Sequence, residues 1–472
     1  MTADLLDEAG APLTGAPLGA LLSAQAARLG DAPAFTCGES TLGFAEMDRA
    51  ANRIARALAA RGVGQDDTVV VSMTNRPAYA QVVYALWKLG AVPCPISHRL
   101  TPVEFSAAVA LAAPRLIVGT LAASGAGVPL FDIDAALPEG LDDTPLPPAV
   151  STPGKILASG GSTGRPKLIV DPKASVWGPD KAAPYRPPGS VILIAGPLYH
   201  TAPFAFGIVA LSEGSHIVCM ERFDALEWLI LAQRHGATVT TMVPTMMSRI
   251  AKLDAAVSAA FDLSAFRVVM HSSAPCPADI KRWWLNRLSP EVVVEVYGGT
   301  ERIGATIING VEWLQRPGSV GRPPPGDAVV VVDEQGNPLP SGEIGEILFR
   351  RATGPGTGYR YIGATSRITG DLDGMGDMGW LDEAGYLYIA DRRTDMILVG
   401  GINVYPAEVE AAIESVPGVL CAAVIGLPDG DMGNRVHAIV ELAATVAVPA
   451  DGLCFVASGL DMLAPFKRPR SI

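Results

Sequence analysis

Positive charge is scarce in this chain: 36 Lys and Arg stand against 48 Asp and Glu over 472 residues, a formal net charge of −12. That balance gives no broad electrostatic hold on nucleic acid or on an anionic bilayer, so neither is expected as a partner. Cysteine is sparse as well. Cys37, Cys94, Cys219, Cys276, Cys421 and Cys454 are scattered, without the spacing of a metal site or a paired framework, and read as reduced thiols in a cytoplasmic protein. The start Met1-Thr2-Ala3-Asp4 lacks the basic character of a secretory leader. Long apolar runs are missing too. Residues 191–212 carry no Asp, Glu, Lys or Arg over a membrane-spanning length, but Gly196-Pro197, His200 and Pro203 divide them into a strand at 191–195, a loop, and a helix at 204–211. Finally, there is no GxxxxGK[ST] loop, and no GxGxxG opens a βαβ unit. The common NTPase loop and the Rossmann dehydrogenases are thereby excluded.

What the chain does have is a dense nine-residue segment, Ser159-Gly160-Gly161-Ser162-Thr163-Gly164-Arg165-Pro166-Lys167, set between the apolar runs Ile156-Leu157-Ala158 and Leu168-Ile169-Val170. Glycines let successive backbone N–H groups turn toward one anion, and the hydroxyls and Lys167 add donors and charge. A polyphosphate grip follows. A flexible Gly/Ser linker is the alternative for any such segment, and the flanking strands and the Arg165-Pro166-Lys167 tail count against it.

Three further motifs accompany it. Tyr297-Gly298-Gly299-Thr300-Glu301 follows the β-branched run 292–296, so a strand delivers it to a sheet edge where open α/β sheets bind ligands. Tyr297 can stack on a base, Thr300 can donate to a phosphate, and Glu301 can hold magnesium. Gly376-Asp377-Met378-Gly379-Trp380-Leu381-Asp382-Glu383-Ala384-Gly385-Tyr386 runs on to Asp391-Arg392; the plain alternative makes Asp377 a turn-former and Arg392 a solvated charge. Gly400-Gly401-Ile402-Asn403-Val404-Tyr405-Pro406 places Pro406 in the first turn of a helix, and its glycine pair suits either a close approach to a ligand or an ordinary hairpin turn.

Together, in this order, these segments resemble the signatures of the adenylate-forming superfamily of acyl-CoA synthetases, luciferases and nonribosomal-peptide adenylation domains, and look closest to the acyl-CoA synthetases. Gly160 and Leu168 depart from that family's phosphate loop, whose pattern is [ST]SG[ST]TGxPK with glycine commoner after the lysine. The resemblance implies attack of a carboxylate on MgATP, giving an acyl-adenylate and pyrophosphate, then transfer to the thiol of CoA. By the same resemblance, residues 159–164 and Lys167 hold the β and γ phosphates, Thr300 the α-phosphate and Glu301 the magnesium. Tyr297 faces adenine, Asp377 the ribose, Arg392 the ribose or a phosphate, and Gly400 and Gly401 the pantetheine arm. The loop Pro197-Leu198-Tyr199-His200 resembles the family's PL[FY]H segment, with His200 near the reacting carboxylate. Tyr199, His200, Phe204, Val243, His271, Ala274, Pro275 and Gly298 are the pocket candidates. This mainly apolar set suits a bulky neutral acid, aromatic, alicyclic or fatty, better than an amino acid. A carrier-protein thiol, an amine or another small nucleophile stays open as the acceptor, as does a nucleotide-binding protein with weakened catalysis, and a homodimer is compatible with this reading.

The fold expected is α/β. Strands at 68–73 and 91–96 flank a helix at 78–89, a βαβ unit. Further strands fall at 217–220, 239–243, 267–270 and 292–296, with a helix at 225–235 among them. From about 327 the runs become β-rich, at 328–333 and 344–349, a small β subdomain after parallel sheets. Residues 1–393 read as the N-terminal domain and 394–472 as a small α+β C-terminal lid, with Thr394 at the hinge that the resemblance implies. Family members carry a further segment with a lysine that supports adenylation, and the end of this chain, Phe466-Lys467-Arg468-Pro469-Arg470-Ser471-Ile472, has no match to it. Lys467 belongs to an earlier place in the pattern. The lid therefore looks truncated, and the chain as given is expected to bind nucleotide and acid but to adenylate slowly.

Overall fold

The βαβ unit expected at 68–96 is present in the computed structural model as Thr68–Ser72, Pro77–Lys88 and Val92–Pro95. The model describes residues 15–120, 127–135, 137–159, 167–178, 185–392, 396–399, 402–429, 432–449, 451–461 and 463–472. Pro77 occupies the first turn of the helix, where its missing N–H costs nothing, and Gly90 at φ +68° turns the chain back. Val69, Val70 and Val71 of the first strand and all of Val92–Pro95 are buried, as a parallel sheet covered on both faces demands. With Leu116–Gly119 and Leu130–Asp132 they form a four-stranded parallel sheet.

A second sheet has eight strands in the order Ala305–Asn309, Val293–Gly298, Val268–Ser272, Val239–Met242, Val191–Ile194, His216–Cys219, Pro33–Cys37 and Ser40–Gly43. Its inner pairs are parallel, and only the two outermost pairings are antiparallel. One core joins the two sheets, holding Val69 and Val71 of the first with Ile192, Ile194 and Ile217 of the second around the helices Phe44–Ala59 and Pro77–Lys88. A separate core lies on the other face, with Leu193, Val218, Val269 and Val293 under Trp228 and Trp284. Alternation along each strand assigns successive residues to these two cores.

The helix expected at 204–211 begins earlier, at Thr201–Gly207, and passes into a 3-10 turn at Val209–Glu213. Pro203 explains the earlier start, because it is tolerated in a first turn and disruptive in an interior. The phosphate-loop strands pair antiparallel as a hairpin, Lys155–Ser159 with Lys167–Asp171, ending at the pair Ser159↔Lys167, and Arg360–Ile362 adds a third strand. Residues 319–392 supply a six-stranded antiparallel sheet, the expected β-rich part. Beyond it, Ile397–Val399 pairs with Ile402–Val404, Pro406–Glu414 forms a helix, and Val419–Asp429 pairs with Gly433–Leu442. Val404, Val409, Ile413, Val424, Val436 and Val456 form a core of their own there. Among the described residues, no helix is long and apolar enough to cross a membrane.

His216 opens a central strand, bonded through Nε2 to Thr36 Oγ1 at 2.8 Å and edge-on to His235 at 5.8 Å. Burial, aided by the neighbouring His235, pushes its pKa down to about 4. A histidine whose pKa is lower folded than unfolded binds fewer protons in the native state, so stability is complete above the unfolded value, about 6.5, and drains away as pH falls toward 4. Urea midpoints measured between pH 7 and pH 4.5 are expected to fall, and His216→Gln should flatten that dependence.

Candidate active site

Four parallel strands, Val191–Ile194, Val239–Met242, Val268–Ser272 and Val293–Gly298, end on the same edge of the large sheet. From Val191–Ile194 the chain passes to His216–Cys219 on one side and then to Val239–Met242 on the other. Strand order thus reverses at this strand, and a crevice opens at such a switch point. The loop that leaves it is anchored by buried Asn75. That amide donates to the Gly196 and Met220 carbonyls, each at 2.9 Å, and accepts from the Leu198 N–H at 2.8 Å. Tyr199 and His200 follow, with ring centroids 4.6 Å apart, and His98 meets Tyr199 edge-on at 6.0 Å. These rings line up where the carboxyl ends of both parallel sheets meet.

The turn after Val293–Gly298 is tight. A Cβ on Gly298 would lie 3.0 Å from the Gly304 carbonyl, and one on Gly299 would run into Met375 Sδ and lie 2.7 Å from Glu301 Oε2. Arg302 holds the left-handed region at φ +54°, a strained place for a non-glycine residue, and its guanidinium reaches Asp171 on the phosphate-loop hairpin at 3.2 Å. Next to it, Glu301 is 8% exposed, and its Oε1 accepts from Tyr361 Oη at 2.6 Å and from Lys167 Nζ at 3.1 Å. Lys167 also lies 3.2 Å from the Tyr361 hydroxyl and 4.4 Å from that ring's centroid. Burial alone would raise the Glu301 pKa; the Tyr361 hydroxyl, its own backbone N–H and Lys167 outweigh this and hold it below the ordinary glutamate range. Burial, followed by Glu301, pushes the Tyr361 hydroxyl up, so it stays a donor.

Thr300 Oγ1 is 2.6 Å from Thr201 Oγ1, which joins the turn to the helix after His200. Tyr297 donates from its hydroxyl to Asp377 Oδ2 at 2.7 Å, and Asp377, 6% exposed, stands opposite Arg392 in the strand register. Lys167, Tyr297, Thr300, Glu301 and Asp377 therefore converge on one edge of the sheet, together with Gly298. Ser159 pairs with Lys167 at the hairpin tip. Gly160, Gly161, Ser162, Thr163, Gly164, Thr394, Gly400 and Gly401 lie outside the described residues. The strands flanking residues 400 and 401 pair antiparallel, Val399 with Ile402.

Two pocket candidates are not brought together. Phe204 is fully buried in the core between the sheets, edge-on to Trp87 at 6.0 Å. His271 is also fully buried but alternates with Met270 of that core, so it faces the opposite layer, beside Glu295 at 3.8 Å and Lys281 of the helix Ala278–Arg287. Phe204, on the helix Thr201–Gly207, and His271 thus pack against opposite faces of the large sheet. Val243 is half-buried, and Ala274 and Pro275 are exposed in the loop after Ser272. Conversely, Thr201, Tyr361 and Arg302 join the site without having been expected there. Thr201 adjoins His200, so its place was within reach of a local reading; Tyr361 contacts a residue 194 positions away, beyond any local pattern.

Among the described residues, no group of three or more His, Cys, Asp or Glu could hold a metal ion alone. Glu301 nevertheless fits magnesium. It is one buried carboxylate already facing a cation, with Oε2 in the space that Gly299 leaves open, and magnesium is commonly held by one or two carboxylates together with substrate phosphates.

The family profile described as AMP-binding enzyme matches residues 22–360, and the chain belongs to that family. A feruloyl-CoA synthase from Amycolatopsis sp is 33% identical, with 93% of this chain and 91% of that protein covered. A fatty acid–[acyl-carrier-protein] ligase from Streptomyces coeruleorubidus is 32% identical, with 93% and 88% covered. In fold, o-succinylbenzoate CoA synthetase from Bacillus subtilis, solved with its acyl-adenylate intermediate, superposes with a TM-score of 0.83 at 23% identity over 98% of this chain and 95% of that one.

The Asn75 clamp is testable by itself. Asn75→Ala strands two buried carbonyls and one N–H, at roughly 1 kcal/mol or more each, so urea denaturation is expected to show a loss of about 2–4 kcal/mol.

Proposed function

We propose that this chain is an AMP-forming acid–thiol ligase, which activates a carboxylic acid with MgATP to an acyl-adenylate and passes the acyl group to the thiol of CoA. The observation that carries this reading is the meeting of Lys167, Thr300 and Glu301 at the switch-point crevice. A cation, a hydroxyl and a buried carboxylate there match the three needs of a nucleoside triphosphate: charge for the outer phosphates, a donor for the inner one and a ligand for its metal.

Bound magnesium supplies charge neutralisation on the phosphate oxygens. Lys167 and the glycine-rich tip, residues 159–164, hold the β and γ phosphates, and Thr300 donates to the α-phosphate. Tyr297 sets the adenine side, while Asp377, with Arg392 opposite, accepts from the ribose hydroxyls. His200 and Tyr199 present the acid's carboxylate in line with the α-phosphorus, and the rate gain is then mainly one of positioning and fixed charge. The chain up to residue 393 acts as the adenylation domain and the part from 394 as a lid that turns about Thr394, bringing Gly400 and Gly401 toward the pantetheine arm. The aromatic row His98, Tyr199 and His200 and the feruloyl-CoA synthase relative favour an acid with a flat apolar body.

Pyrophosphate release from MgATP over a panel of aryl, alicyclic and fatty acids, with and without CoA, is the test. Acid-dependent release accelerated by CoA is expected, best with aryl acids, and Lys167→Ala should lower kcat about 100-fold. Release accelerated by an acyl-carrier protein and indifferent to CoA would instead move this chain to the acceptor class of its carrier-protein relative. No release with any acid would remove the ligase reading.

A further inference from the structure

Tyr361 sits on the strand Arg360–Ile362, beside the hairpin that carries Lys167. Its ring is itself fixed: Tyr359 packs edge-on against it at 4.9 Å and donates from its hydroxyl to Asp373 Oδ1 at 3.0 Å. One side chain thus presents two different surfaces. The hydroxyl donates to Glu301 Oε1 at 2.6 Å and accepts from Lys167 Nζ at 3.2 Å, and the Lys167 ammonium lies 4.4 Å from the ring centroid. Lys167 and Tyr361 both contact the same carboxylate oxygen, Oε1, whereas Oε2 lies over Gly299.

The two surfaces behave differently when charges move. A hydroxyl hydrogen bond is directional and sets the rotation of a carboxylate. A cation–π contact tolerates sliding, because the ring's field is spread over its face. We propose that Tyr361 is a positioning residue for the phosphate and metal groups of the site: its hydroxyl turns Glu301 so that Oε2 faces the metal, and its ring together with the hydroxyl oxygen holds Lys167 until a phosphate takes the ammonium. This rests on the roles given above to Glu301 and Lys167.

Tyr361→Phe keeps the ring and removes the hydroxyl, whereas Tyr361→Leu removes both. Calorimetric ATP affinity, measured with excess magnesium and again in EDTA, separates the two surfaces without relying on turnover. In Tyr361→Phe the magnesium-dependent affinity is expected to fall about tenfold, the loss of one hydrogen bond to a charged group, with metal-free affinity within about twofold of wild type. Tyr361→Leu should weaken both. In turnover, the Phe variant should need more magnesium for half-saturation while the KM for the acid stays put.

Wild-type magnesium dependence in the Phe variant would overturn the proposal. So would equal losses in the Phe and Leu variants accompanied by a lowered Tm, the sign of a merely structural tyrosine. Glu301→Gln and Lys167→Ala serve as the reference pair. If both bind ATP like wild type under both conditions, the reading of the site itself fails, whatever Tyr361 does.

Discussion

The site depends on a pair of ionic ties between the phosphate-loop hairpin and the turn after Val293–Gly298. Asp171 takes Arg302 at 3.2 Å and Lys167 takes Glu301 at 3.1 Å, while Lys155 holds Asp171 at 2.5 Å within the hairpin itself. Ion pairs withdrawn from water contribute little net stability, because desolvation offsets most of their attraction. Their value lies in geometry. The hairpin and the turn belong to different sheets and share no backbone pairing, so these charges, with the buried packing of Ile169 and Ile303 in one cluster, set their mutual placement. The strained φ of Arg302 fits that picture, since its guanidinium reaches Asp171 from this conformation.

The charges at the site are paired with one another. Lys167 neutralises the carboxylate that a metal would bind, with Tyr361 as third partner. On the proposed reading, a metal–triphosphate complex would bring a cation for Glu301 and anions for Lys167 at the same time, so the exchange would leave neither charge unpaired in a half-buried place. Neither ligand alone would do this. The arrangement also explains why the turn needs glycine at 299, where any side chain would meet both Met375 and the Glu301 carboxylate.

The parallel core was legible in the sequence because buried strands there are short apolar runs between helices with clear ends, as at Pro77, which starts one, and Gly90, which follows its end. The turn Tyr297–Glu301 was legible because its neighbours along the chain fix it. What escaped depends on register and on distance. Phe204 and His271 look alike as apolar-loop neighbours of a pocket, and only the pairing of Val268–Ser272 with its partners shows that His271 faces the far layer. Tyr361 lies in an irregular stretch with no periodicity, and its role appears only when Arg360–Ile362 joins the hairpin formed some 190 residues earlier. Local chemistry could be read from the chain; the meeting of remote segments required the fold.

The most direct measurement is a crystal structure of the protein with magnesium and a non-hydrolysable ATP analogue. The account requires the triphosphate between residues 159–167 and Thr300, a metal about 2.0–2.1 Å from a Glu301 oxygen, and Lys167 moved from that carboxylate to a phosphate. A nucleotide bound elsewhere, or bound here with the Lys167–Glu301 pair intact and no metal at Glu301, would contradict it.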